Sequence, residues 1–212
     1  TVTSSDATSG LASTTCDLDG NAVDCADDLT GLADGSHTFT ATATDNAGNS
    51  ASDSHTWVVD TIAPSVSVSG PDSPSASADA DMTVTSSDGG SGLASTTCDL
   101  DGNAVDCADD LTGLADGSHT FTATATDNAG NSASAAHTWV VDTTAPSVSV
   151  SGPSDPSNSA DADFTVTSSD DGSGLASTTC TLDGAAVTCG DSASCLLYTS
   201  DAADARSSVD LG

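Results

Sequence analysis

The sequence predicts an all-β protein built from tandem β-sandwich domains, and three observations carry this prediction. The hexapeptide TVTSSD begins at Thr1 and returns at Thr83 and Thr165, which sets a repeat length of 82 residues. Apolar residues and threonine alternate along residues 37–44 (HTFTATAT), with the period of two that a half-buried strand requires. Apolar spacing at the helical period is missing, and the 212-residue chain contains neither glutamate nor lysine.

The repeat divides the chain into copies of one domain. A period of 82 residues exceeds that of solenoid units, which run to about 20–50 residues, and fits a small independently folding domain. We expect a first repeat at 1–60 that lacks its opening strand, a complete middle repeat at 61–142, and a third repeat at 143–194 that lacks its last strands. Residues 1–60 and 83–142 differ at four positions: Ala7/Gly89, Thr8/Gly90, Asp53/Ala135 and Ser54/Ala136.

The middle repeat supplies the strands in order, each bounded by Gly-, Pro-, Asp- or Asn-rich turns. Seven short strands in about 80 residues are typical of an immunoglobulin or fibronectin-III type sandwich. The predicted strands are A at 65–68, B at 82–86, C at 94–100 with a partner at 105–107, E at 111–112, F at 118–126 and G at 137–141.

Cysteines recur in pairs nine residues apart, and each pair flanks an LDG turn. If residues 19–22 form a four-residue hairpin loop, Asp17 faces Asp24 and Cys16 faces Cys25. That register predicts a disulfide in every repeat, and disulfides indicate an extracellular or cell-surface location. The cysteines expected to be bonded are Cys16, Cys25, Cys98, Cys107, Cys180 and Cys189.

The charge excludes several classes of function. The net charge is −31, every acidic residue is aspartate, and the single basic residue is Arg206. Nucleic acids require a basic surface on their partner, so nucleic-acid binding is excluded, and we expect no membrane insertion. The sequence contains no nucleophile elbow, zinc-protease motif or phosphate loop, and we therefore expect no enzymatic activity.

Two histidines, His37 and His55, lie on the neighbouring strands F and G of the first repeat. A metal site with two histidine ligands is one interpretation. Ordinary strand residues with hydrogen-bonded rings are the other, and they are the more common use of histidine in a sheet.

Three motifs, CxLDG…C, GLADGSHTFTATATDNAGN and HTWVVDTTAP, together resemble the bacterial immunoglobulin-like repeats of large secreted and cell-surface adhesin-like proteins. The resemblance implies a non-catalytic extracellular spacer or stalk. Its partners would be neighbouring repeats of the same chain and a cell-surface or matrix ligand bound elsewhere. Accessory modules of a secreted hydrolase and a carbohydrate- or partner-binding module are the alternatives.

A calcium site is predicted at the junctions between repeats. In this kind of sandwich the B–C and F–G loops lie beside the last strand of the preceding domain, and their oxygens are ligands that calcium prefers. Relatives with the AGN and VDTTAP motifs include adhesins that use calcium in this way. Turn and linker chemistry alone is the alternative. The predicted ligands are Asp60, Asp88, Asp127, Asn128 and Asn131 at the first junction, with Asp142 and Asp170 at the second.

The last part of the chain, residues 195–212, breaks the repeat. It contains the unpaired seventh cysteine, Cys195, together with the single tyrosine, Tyr198, and Arg206. This stretch resembles the translated read-through of a sequencing adapter, so we expect a non-native tail. A natural variable tail is the alternative.

Overall fold

The computed structural model describes residues 1–160 and 162–189, together with the backbone of residues 195–198. Throughout this described part the secondary structure consists of β-strands, and the sheets are antiparallel. The predicted all-β fold class is therefore confirmed. No described helix is long and apolar enough to cross a membrane.

Close contacts group the chain into two compact units whose limits cut across the repeats. The first unit comprises Thr1–Gly70, Met82–Asp109 and Thr120–His137. The second comprises Pro71–Asp81, Asp110–His119 and the described part of Thr138–Gly212. The middle repeat contributes to both units, and the domain boundaries expected from the repeat stay a prediction.

The first repeat forms one four-stranded sheet in the order β2-β1-β3-β4. Its long hairpin runs in register from the pair Gly35↔Val59 to the pair Thr44↔Ser50. The alternating threonine and apolar residues thus form a strand, as predicted. The strands are β1 (Leu11–Leu18), β2 (Asn21–Val23), β3 (Gly35–Asp45) and β4 (Ser50–Val59).

The middle repeat has the same sheet and adds a second one. β5 (Ser65–Ser69) pairs with β6 (Thr83–Ser87), and along each strand exposed residues alternate with half-buried ones. The predicted E strand is a single bridge between Ala80 and Leu111. The four-stranded sheet has the order β10-β9-β7-β8 and comprises β7 (Leu93–Leu100), β8 (Asn103–Val105), β9 (Gly117–Asp127) and β10 (Ser132–Val141).

The third repeat keeps the corresponding strands as far as residue 189. β15 (Cys195–Tyr198) pairs antiparallel with β12, so four residues of the predicted tail form a strand. The other residues of the tail lie outside the described part of the chain. The strands before β15 are β11 (Ser147–Ser151), β12 (Asp163–Ser169), β13 (Cys180–Leu182) and β14 (Ala185–Val187).

The register predicted for the cysteine hairpin is wrong, although all three disulfides are present. Cys16 pairs with Val23 and Leu18 with Asn21, so the loop has two residues instead of four. Asp19 and Gly20 both have positive φ, at 52° and 79°, which is the pattern of a tight type I′ hairpin turn.

Because this tight turn ends the strand pairing two residues earlier than expected, Cys25 lies beyond the end of β2. It returns to Cys16 with a Cα–Cα distance of 5.2 Å, which is normal for a disulfide. Asp17 lies opposite Ala22 and not opposite Asp24. The hairpin partner predicted at 105–107 is correspondingly β8 at Asn103–Val105.

The turn aspartate also connects the hairpin to the next strand. The Asp19 carboxylate accepts a hydrogen bond of 2.7 Å from the Thr38 amide, and the Asp19 amide donates to the Thr38 carbonyl. In the middle repeat, Asp101 makes the same pair of bonds with Thr120. The LDG motif therefore sets the turn and fixes the start of the long strand.

Identical strands are buried to different degrees in the two repeats. Phe121, Ala123 and Ala125 of β9 are completely buried, whereas the same residues of β3 are half-buried. The middle repeat has the additional β5–β6 sheet, and the described part of the first repeat has no second sheet. Sequence periodicity therefore predicts which face turns inward, but burial requires a covering layer.

Candidate junction and metal site

Each linker between repeats is hydrogen-bonded to the repeat that it leaves. The Asp34 carboxylate, which precedes β3, accepts bonds of 3.0 and 2.9 Å from the amide and hydroxyl of Thr61. At the next linker, Asp116 accepts bonds from the amide and hydroxyl of Thr143. The first threonine of the DTIAP and DTTAP linkers is thereby fixed to the preceding repeat.

The aspartate one residue earlier is bonded to the repeat that follows. We call residues 88–92, between β6 and β7, the B–C loop, with 6–10 and 170–174 as its equivalents. The Asp60 carboxylate accepts a bond of 2.7 Å from the Ser91 amide in this loop and another from the Ile62 amide. Asp60 is 8% exposed, so its charge is buried against the loop backbone.

The second junction repeats this arrangement. The Asp142 carboxylate accepts bonds from the Ser173 amide of the equivalent loop and from the Thr144 amide. Within the same loop, Asp170 accepts a bond of 2.7 Å from the Gly174 amide. The second junction therefore uses donors and acceptors equivalent to those of the first.

The DNAGN motif forms a loop that we call the F–G loop (residues 127–131). The Asp127 carboxylate accepts bonds from the Ala129 and Asn131 amides and from the Asn131 side chain. The Asn128 side-chain amide donates to the carbonyls of Ser91 and Gly92. Each polar side chain of this motif thus has a structural partner, and Asn128 ties the F–G loop to the B–C loop.

Three of the predicted ligands come together at the first junction. Carboxylate oxygens of Asp60, Asp88 and Asp127, which we call the acidic triad, all lie within 4.8 Å of one another and could hold a metal ion. Asp127 is 2% exposed. The sequence has a single Lys or Arg residue, Arg206, to balance such carboxylates. The set consists of hard oxygen donors, which suits calcium.

The two asparagines are placed differently from the triad. Asn131 donates through its side-chain nitrogen to the Asp60 carbonyl and to the Asp127 carboxylate, at 2.9 and 2.8 Å. Its donor atom, and not its oxygen, therefore faces Asp60 and Asp127. Asn128 likewise directs its nitrogen at backbone carbonyls, so both asparagines position the loops in this geometry.

Hydrogen bonds lower the pKa of the aspartate that ends each of the first two repeats, Asp60 and Asp142. The hydroxyl and amide of Ser91 lower the pKa of Asp60 below its ordinary value of 3.8. Ser173 lowers the pKa of Asp142 in the same way. A carboxylate with a lowered pKa adds stability that is complete above its ordinary pKa and is lost as the pH falls through the lowered value.

His37, one of the two histidines considered as metal ligands, has hydrogen-bond partners within its own repeat. In the β3–β4 register His37 lies opposite Trp57, and His55 lies opposite Phe39. The His37 ring bonds the Asp19 carboxylate and the Ala33 carbonyl, both at 2.8 Å. These two bonds raise the pKa of His37 and agree with the interpretation of His37 as a hydrogen-bonded strand residue.

Sequence reasoning placed Asp60, Asp88 and Asp127 together but missed the group that donates a hydrogen bond to Asp60. The donor is the backbone amide of Ser91, next to Gly90, and a backbone amide has no sequence signature of its own. The Asp34 and Asp116 bonds to the linker were missed as well. One signal was available, since position 90 is among the few at which the first two repeats differ.

These features define an all-β tandem-repeat protein with hydrogen-bonded junctions. No known protein family matches the sequence, and no curated protein matches it. Among solved structures, the chain is similar to one described as a tetra-tandem repeat in the extending region of a large adhesion protein. The two are 23% identical with a TM-score of 0.35, and the match covers 89% of this chain and 58% of that one.

Proposed function

We propose that the chain is a non-catalytic extracellular spacer from an adhesin-like surface or secreted protein. In this role the repeats hold a distal domain away from the cell, and the junctions set the stiffness of the array. The proposal rests on the linker, because its two consecutive residues Asp60 and Thr61 are hydrogen-bonded to different repeats. Thr61 is fixed to the repeat behind it and Asp60 to the repeat ahead of it.

The disulfides support an extracellular location. Cys16–Cys25, Cys98–Cys107 and Cys180–Cys189 each close one hairpin, and such bonds persist in oxidising compartments. A surface with almost no basic residues also repels other copies of the same chain, which favours an extended array over self-association. Neighbouring repeats are then the main partners of each domain.

We further propose that calcium stiffens the first junction. Asp60, Asp88 and Asp127 would hold the ion, whose charge offsets the repulsion among three carboxylates that lie within 4.8 Å of each other. Asp60 ends the first repeat, whereas Asp88 and Asp127 belong to the middle repeat, so an ion shared among them would connect the two repeats. At the second junction, Asp142 and Asp170 would contribute in the same way.

Calorimetric titration of the full chain with calcium tests this proposal. High salt suppresses non-specific attraction of cations to the acidic surface. We expect saturable binding with a dissociation constant of roughly 0.1–1 mM, as is common in extracellular calcium modules. Asp60→Ala should abolish the tightest binding, since it removes the ligand contributed by the first repeat.

Asp81→Ala is the matched control, because it removes the same charge from an exposed position of the middle repeat. It should leave the titration unchanged. Identical heats for the wild type and Asp60→Ala, or the absence of saturable binding in the wild type, would contradict the calcium site.

A further inference from the structure

Half of the few differences between the first two repeats are in the B–C loop. Of the four differing positions among sixty, two are adjacent in the B–C loop, where Ala7-Thr8 replaces Gly89-Gly90. The third repeat has Gly172 at the position of Gly90. Both B–C loops that receive an aspartate from the preceding repeat therefore have glycine at this position.

Close packing explains this glycine. A Cβ atom added at Gly90 would lie 2.6 Å from the Asp60 Cγ and 2.7 Å from its Oδ1, so a side chain here requires the Asp60 carboxylate to move away. A Cβ added at Gly172 would meet the Asp142 carboxylate in the same way. A Cβ at Gly89 would have no neighbour within 4 Å. Of the two glycines that differ between the repeats, Gly90 is therefore the one whose missing side chain makes room for Asp60.

The amide of the serine that follows this position has a different acceptor when the position is threonine. In the first repeat the Ser9 amide donates to Asp6 of its own loop at 2.8 Å, and the Thr8 amide donates to the same oxygen. In the middle repeat the equivalent amide, that of Ser91, donates to Asp60 instead. Asp88 accepts the Gly90 and Gly92 amides in the middle repeat as well, so the two loops differ in the acceptor of this one serine amide.

We propose that Gly90 and Gly172 make the B–C loop a receptor for the terminal aspartate of a preceding repeat, and that Thr8 closes this receptor on the first repeat. The partner is the carboxylate at the end of a VVDT strand, supplied by another copy of this repeat. One residue then decides whether the serine amide of the B–C loop donates to the terminal aspartate of the preceding repeat. This inference deepens the proposed spacer function and rests on it for its biological meaning, but it requires no calcium.

The test compares the full chain carrying Gly90→Thr, which copies the first repeat, with Gly89→Ala, which copies its other loop difference. Each is combined with Asp60→Asn, and the amide proton shift of Ser91 is followed by NMR in EDTA. With the natural loop, Asp60→Asn should shift this proton strongly, because the amide loses a charged acceptor. Gly89→Ala should keep that response, and Gly90→Thr should lose it.

Gly90→Ala provides a second variant with the same added Cβ, and unchanged amide shifts in β9 verify that each variant folds. The proposal is overturned if Asp60→Asn shifts the Ser91 proton equally in the natural and threonine loops. It is also overturned if Gly89→Ala abolishes the response as completely as Gly90→Thr. Since EDTA removes calcium, failure here is distinct from failure of the calcium titration.

Discussion

Replacement of Trp139 with alanine is expected to lower the free energy of unfolding of the middle repeat by about 3–5 kcal/mol. Trp139 lies on β10 and is 1% exposed, so its loss leaves a large cavity that the surrounding residues fill only in part. The effect is measured by amide hydrogen exchange along β9, which reports the local free energy of opening.

Trp57→Ala is the matched control, because Trp57 stands in the same HTWVVDT sequence of the first repeat but is only half-buried. Its loss removes less buried surface, and a clearly smaller effect on β3 amides should follow. Equal losses at the two positions would show that the difference in burial between Trp139 and Trp57 does not determine their contributions to stability.

Removal of the Cys98–Cys107 disulfide by double substitution with alanine should cost the middle repeat roughly 2.5–3 kcal/mol. The bond closes a loop of about ten residues, and its removal restores the conformational entropy of that loop to the unfolded chain. Cys98 is also 6% exposed, so the change disturbs a buried position at the centre of the sheet. Chemical denaturation at neutral pH gives the difference.

Reduction of the wild-type protein should reproduce the effect of the double substitution, because both remove the same cross-link. The substituted protein should respond to a reductant only through its other disulfides. Wild-type stability that is insensitive to reduction would contradict a stabilising role for the hairpin bond.

The sheets could be predicted from the sequence because the alternation of threonine with apolar residues directly reflects the two faces of a strand. The alternation in β9 marks Phe121, Ala123 and Ala125 as inward-facing, and all three are buried. The hairpin register could not be predicted in the same way. A loop of two or four residues fits the LDG motif equally well until Asp19 is seen with positive φ.

At the first junction, the sequence could predict which side chains come together but not which backbone groups they bind. The order of strands in a sandwich places Asp60 near the loops that contain Asp88 and Asp127, and these three carboxylates do meet. The Ser91 amide that donates to Asp60 is a backbone group, which any residue but proline supplies, so the sequence does not single it out. The sequence shows glycine at position 90 and threonine at position 8. The structural reason, which is the Asp60 carboxylate packed against Gly90, is not apparent from the sequence.

We infer that the hydrogen bond between Asp60 and the B–C loop joins the first and middle repeats into one stiff unit. Residual dipolar couplings, measured on segmentally labelled wild-type chain, test it most directly. If residues 1–60 and the sheet β7–β10 share one alignment tensor of equal magnitude, the two repeats reorient together, as this account predicts. Tensors of different magnitude would mean that the repeats move independently, and the junction would then be a flexible linker.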